Sequence, residues 1–179
     1  MKANSGGPNQ TPRMPEALPR AKATASGAEA LLRRVAPTLL RWALGATFLS
    51  AVADRFGWWG APGSANVSWG DWAHFVAYTA KVNHFLPAGM APALAVLATA
   101  AEALLGVALL LGAFPRWVAW ASAGLLGLFA GAMTLSFGVK APLDYSVFAA
   151  AAAALLLGAW PHGSARNGST ADRRLRVKS

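Results

Sequence analysis

The chain has 179 residues, 55% of them hydrophobic, and a mean hydropathy of +0.39, which is too apolar for a soluble domain with polar tails and marks an integral membrane protein. Its formal charge of +9 comes from 16 Lys and Arg against 7 Asp and Glu. Most of that charge lies in the tails, where anionic headgroups and the positive-inside rule account for it and argue against nucleic acid as a partner. With 0 cysteines the chain builds no disulfide, thiol relay, iron–sulfur centre or thiolate zinc site, so redox chemistry would need an organic cofactor or a partner.

Residues 1–34 read as a disordered basic tail rich in Pro, Gly, Ser and Lys/Arg, with Ala28 to Arg34 as a short amphipathic lead-in helix. The first span is expected from Pro37 to Ala53, with the proline at its start, where a missing N–H costs little. Two rival readings are a signal sequence cleaved after Ala51-Val52-Ala53 and a twin-arginine signal at Arg33-Arg34. The long leader, and Arg41 and Trp42 inside the apolar run, oppose both. The connection from Asp54 to Pro87 is crowded with Trp and Gly, and Trp58, Trp59, Trp69 and Trp72 suit an interfacial belt. Ser68 opens a Ser-x-x-Asp pattern with Asp71, and Trp72, Phe75, Val76 and Thr79 then share a face, predicting an interfacial helix from Trp69 to Val82 on the membrane surface.

Ala91 to Gly112 is the second span, apolar throughout except for Glu102. An ionisable group inside a span rarely faces lipid, so Glu102 is expected to point into protein, on a face with Ala95, Ala98, Thr99, Leu105, Gly106 and Leu109. The short link Ala113 to Arg116 forces an antiparallel return into a third span, Trp117 to Gly138. There Gly124, Gly127, Gly131, Thr134 and Gly138 form a small-residue strip, read first as a helix-packing surface. Lys140 to Asp144 is a turn, Tyr145 to Trp160 a short fourth span, and residues 161–179 a second basic tail. The expectation is an all-α polytopic protein, a four-helix transmembrane bundle over residues 35–160 with an added outer interfacial helix.

Basic residues before span one, at Arg116 and after span four outweigh those of the first loop and third turn. The positive-inside bias therefore predicts cytoplasmic termini and an outer Trp-rich loop.

The polar residues divide by depth. Glu102 is expected deep in the membrane, and Arg41, about a turn inside the cytoplasmic edge, either reaches it or extends to the headgroups. Asp54, Arg55, Lys140, Asp144 and Tyr145, with His74 and His84, form an outer group at helix ends and loops. That group would staple the helices, or form a pocket in which Lys140 or Arg55 holds a quinone carbonyl beneath Trp rings. The two histidines lack metal-ligand spacing, and no nucleophile motif, phosphate loop or metal motif supports an enzyme acting alone.

Arg41-Trp42-Ala43-Leu44-Gly45, Phe48-Leu49-Ser50-Ala51, Asp54-Arg55-Phe56-Gly57, Glu102 with Gly106, Leu109-Leu110-Leu111-Gly112, and Lys140-Ala141-Pro142-Leu143-Asp144-Tyr145-Ser146-Val147-Phe148 carry a family likeness. Over roughly residues 34–160 the chain resembles the DoxX-type small bacterial membrane proteins. The resemblance implies a four-helix bundle in the bacterial inner membrane. Relatives are linked to quinone-coupled sulfur oxidation, as the small subunit of a thiosulfate:quinone oxidoreductase, and to oxidative-stress complexes. A quinone-facing subunit of a membrane oxidoreductase is thus the leading functional expectation. A non-catalytic adaptor for a soluble or membrane redox partner is the alternative. A small-solute carrier is the third reading, although neither inverted repeats nor broken helices are visible.

Overall fold

A computed structural model describes residues 19–113 and 115–161, all of it helix and connection. The first helix, α1, runs Pro19–Arg55 with Pro37 inside it. It absorbs the predicted lead-in helix and the part of the tail from Pro19 onward, a stretch whose Ala, Arg, Lys, Glu and Leu are strong helix formers. The tail readings for residues 1–18 and 162–179 lie outside the described residues.

After the Trp-rich loop comes α2, Trp72–Val82, then a 3-10 turn at Ala88–Met90 and α3 at Ala91–Leu111. The last three helices are α4, Pro115–Phe137, α5, Lys140–Asp144, and α6, Val147–Ala159. Helices α3 and α4 and the Gly27–Arg55 part of α1 are long and apolar enough to cross a membrane. The fourth predicted span is α6, whose 13 residues extend only about 20 Å at 1.5 Å each. Ser146, at φ 55, separates it from α5, so the last column of the molecule consists of two short helices in series.

The core joins four helices: Leu44 and Phe48 of α1, Leu109 of α3, Ala119, Ala123 and Leu126 of α4, and Ala154 and Leu157 of α6. Small residues bring the backbones close where the chain needs it. A Cβ on Gly45 would stand 3.0 Å from the Gly106 carbonyl oxygen, which fixes the crossing of α1 over α3. A Cβ on Gly158 would lie 2.2 Å from the Trp120 ring, so the indole of α4 seats directly on the α6 backbone. The outward faces carry Leu97, Leu104, Leu111, Leu128 and Leu135, all exposed, the pattern of helices whose solvent is lipid.

The predicted packing strip on α4 behaves differently. Cβ atoms added at Gly124, Gly127, Gly131 or Gly138 would meet nothing within 4 Å, because the intramolecular face of α4 is that of Ala119, Ser122, Ala123, Leu126, Ala130 and Met133. The glycines line the opposite, outward side.

Candidate functional site, a buried ion pair beneath an aromatic cover

Along α3 the buried residues are Ala91, Ala95, Thr99, Glu102, Gly106 and Leu109, the inward face expected from the sequence, with Ala98 and Leu105 half-buried at its edges. Glu102 is only 2% exposed, and its partner is Arg55 at the last position of α1. Arg55 Nη2 donates to both carboxylate oxygens of Glu102 at 2.7 Å, and Nη1 donates to Thr99 Oγ1 at 2.8 Å. Thr99 in turn donates its hydroxyl proton to the Ala95 carbonyl at 2.8 Å, the local bond that orients its lone pairs toward the guanidinium.

This arrangement corrects the division by depth. Arg55 belongs with Glu102 rather than with an outer ring, because α1 ends level with the Thr99 to Glu102 turn of α3. Arg41 takes neither of its two expected roles in full. Its guanidinium lies against Gly112, the left-handed residue ending α3 at φ 73, where a Cβ would come within 2.6 Å of Nη1. The side chain is half-buried at the carbonyl end of α3, where a positive charge complements the helix dipole.

A cover of rings closes the pair from outside. The Arg55 guanidinium carbon stands 3.8 Å from the Phe75 ring centre and 5.2 Å from that of Trp69. Trp69 meets Phe75 edge-on at 5.0 Å and Tyr78 at 5.7 Å, while Phe56 stacks on Trp72 at 6.1 Å. Cation–π contact in a desolvated setting contributes about 2 kcal/mol, so Phe75 helps bind α2 to the pair. Helix α2 thus packs against α3 and α4 through Phe75, Thr79 and Val82, a closer seat than a helix lying free on the membrane surface. At its far end the Ser136 hydroxyl donates to the Val82 carbonyl and accepts from His84 Nδ1 at 3.1 Å, tying α2 to α4.

Asp54 serves the neighbouring loop. Its Oδ2 accepts the backbone N–H groups of Ser68 and Trp69, each at 3.0 Å, stitching the end of the loop back to α1. The loop folds on itself around glycines: a Cβ on Gly70, at φ 72, would fall 2.4 Å from the Pro62 nitrogen. Ser68 therefore spends its N–H on Asp54, and the N-cap of α2 is Asp71, whose Oδ1 accepts His74 N and meets His74 Nδ1, both at 2.8 Å. The backbone bond from His74 holds the Asp71 carboxyl below its usual range. Among the described residues, the buried atoms Arg41 Nε, Asp54 Oδ1 and Arg55 Nε have no hydrogen-bond partner.

Lys140 and Asp144 pair with each other across one turn of α5, with side chains 82% and 55% exposed. Tyr145 is exposed and lies near Tyr78, whose phenol is pushed up by burial and, less, by Tyr145. Neither Lys140, Asp144 nor Tyr145 hydrogen-bonds to the Arg55 and Glu102 pair among the described residues, and no cluster with metal-ligand composition occurs there. Sequence reading passed over Thr99, Phe75 and Trp69 as partners of Arg55, although Thr99-x-x-Glu102 spacing already put both polar groups on one face.

The fold and this site define a class: a polytopic helical membrane protein whose first and second spanning helices are tied by a desolvated Arg–Glu pair under an aromatic cover. The family model of the methylamine utilisation protein MauE matches residues 33–162, and the chain belongs to that family, one of DoxX-like membrane proteins. No curated protein and no solved structure matches the chain.

Proposed function

We propose that this protein is a membrane-embedded accessory component of a methylamine-utilisation system, an adaptor that presents its loop and α2 to a redox partner. The observation that supports this reading is the closure of the Arg55–Glu102 pair. A carboxylate that relays protons or grips a substrate needs a free oxygen or an exchangeable partner. Both oxygens of Glu102 are held by one guanidinium nitrogen, the neighbouring nitrogen is held by Thr99, and rings cover the rest. The pair therefore serves construction, and what it constructs is the surface of loop 56–71, where Trp58 and Trp59 stand exposed. In the cell the protein sits in the bacterial inner membrane with both termini cytoplasmic and this surface outside, as the charge bias favours.

One observation favours the quinone-facing reading as a second choice. Arg55 Nε offers an unused N–H donor beneath Trp69 and Phe75, a setting that suits a quinone carbonyl. Deleting the gene and scoring growth on methylamine as sole nitrogen source tests the common premise: growth equal to that of the parent would refute a role in methylamine utilisation. Mild-detergent purification of the complementing protein then separates the two readings. A stoichiometric redox protein of the methylamine-oxidising system, without quinone, supports the adaptor, and stoichiometric quinone replaces it with the quinone-facing subunit.

A further inference from the structure

The α3–α4 turn carries positive charge that no carboxylate within residues 36–161 neutralises. Arg41 of α1 lies against Gly112 at the end of α3, and Arg116 stands exposed in the first turn of α4, four residues further along the chain. Within residues 36–161 the carboxylates are Asp54, Asp71, Glu102 and Asp144. Asp54 is thirteen residues from Arg41 along α1, about 20 Å at 1.5 Å per residue, and Glu102 is ten residues from Gly112 along α3, about 15 Å. Asp71 caps the remote α2, and Asp144 follows the far end of α4. The α3 C-terminus carries about half a negative charge and the α4 N-terminus about half a positive one, so the two helix ends cancel and two guanidinium charges remain.

The turn also holds one of these cations in a receptive posture. Trp120 is seated on the Gly158 backbone of α6, and the Arg116 guanidinium carbon lies 4.8 Å from the Trp120 ring centre. A guanidinium stacked by its face keeps its N–H edge for an oxyanion, and Arg116 forms no ion pair or side-chain hydrogen bond among the described residues. Trp117, 70% exposed, meets Trp120 edge-on at 5.3 Å and marks the headgroup level. On the same side of α4, Gly124, Gly127 and Gly131 leave an open strip running away from Arg116 toward the middle of the helix.

We propose that Arg41 and Arg116 form a binding site for the phosphodiester of an anionic lipid, with one acyl chain lying along the glycine strip of α4. Two fixed cations beside a Trp belt select a monoanionic phosphate over a zwitterionic headgroup, whose own ammonium they repel. The bare strip supplies room for the chain that a side chain would otherwise fill.

The test uses the full chain, tails included, purified in a zwitterionic detergent. Phosphatidylglycerol, phosphatidylcholine or inorganic phosphate is then added, with melting temperature and lipid retention in native mass spectrometry as readouts. Phosphatidylglycerol should raise the melting temperature by several degrees and stay bound, and phosphatidylcholine and inorganic phosphate should do neither. Arg116→Gln, an exposed position that leaves the core intact, should reduce retention of phosphatidylglycerol about tenfold, while Arg41→Lys, which keeps the charge, should reduce it less. Equal retention by the parent and Arg116→Gln would assign the lipid to the tails and overturn the proposal. Phosphatidylcholine performing as well would overturn it too, and a shift reproduced by inorganic phosphate alone would leave a free-anion site in place of a lipid site.

Discussion

At the scale of single residues, the burial of Glu102 is legible in the sequence because a lone carboxylate in an apolar span has nowhere else to go. Its partner is not. Choosing between Arg41 and Arg55 requires knowing how far α1 reaches along α3, and that is set by the Gly45 and Gly106 crossing, a contact between distant glycines that no local pattern announces. With the pair known, its energetics follow. Arg55→Met should strand the Glu102 carboxylate and destabilise the protein by about 3 to 5 kcal/mol, whereas Arg55→Met with Glu102→Leu should recover part of that loss. Thermal melts of the single and double variants check it, and a double variant as unstable as the sum of the singles would deny the pairing. Lys140→Met, by contrast, removes an exposed partner from a short helix and should change stability by no more than about 1 kcal/mol in the same assay. Gly158→Ala should cost more than Lys140→Met, since the added methyl occupies the place of the Trp120 ring.

At the scale of elements, α3 and α4 were read nearly to the residue, because length and unbroken hydrophobicity define a span without tertiary information. The start of α2 was read three residues early. Ser68-x-x-Asp71 and Asp71 itself are both acceptable N-terminal signals, and the cap falls to Asp71 because Gly70 is left-handed at φ 72 and the Ser68 N–H is claimed by Asp54, fourteen residues upstream. The glycine strip of α4 shows the converse limit: the sequence reveals a smooth face but not whether the neighbour is another helix of the chain or something outside it. For α2 a pH dependence follows from its cap. The Asp71 carboxyl titrates below its ordinary 3.8, so its contribution is complete above that value and fades as pH falls through the lowered one. Hydrogen exchange at the first turn of α2 should therefore quicken as pH drops below about 4, after correction for intrinsic rates. In Asp71→Asn the amide oxygen keeps accepting from His74 N, and this pH dependence should vanish.

At the scale of the whole molecule, the all-helical bundle and the shortness of its last span are readable from composition and span count, while the break at Ser146 that shortens it further is not. The Tyr145 to Trp160 stretch is apolar from Val147 onward, and Ser146 takes a left-handed conformation that leaves α6 with 13 residues. A helix of about 20 Å in a hydrocarbon core of about 30 Å thins the bilayer locally or relies on α5 to complete the crossing. Either would give an even number of passes, and the proposed topology, which rests on the weight of positive charge in the first half of α1 and after α6, has the loop with Trp58 and Trp59 opposite the two termini. Alkaline phosphatase fused in that loop, near Ala65, should thus be active outside the inner membrane, and fluorescent protein fused after Ser179 should fluoresce inside. Were the C-terminal fusion found outside, α6 would not cross, while the adaptor surface and the lipid site, separated by the whole length of α3, would still meet opposite bilayer faces. Arg41 and Arg116 at the α3–α4 turn and Trp58 and Trp59 after α1 lie toward opposite ends of α1 and α3, so the reporter pattern at Ala65 and Ser179 also decides which leaflet each surface meets.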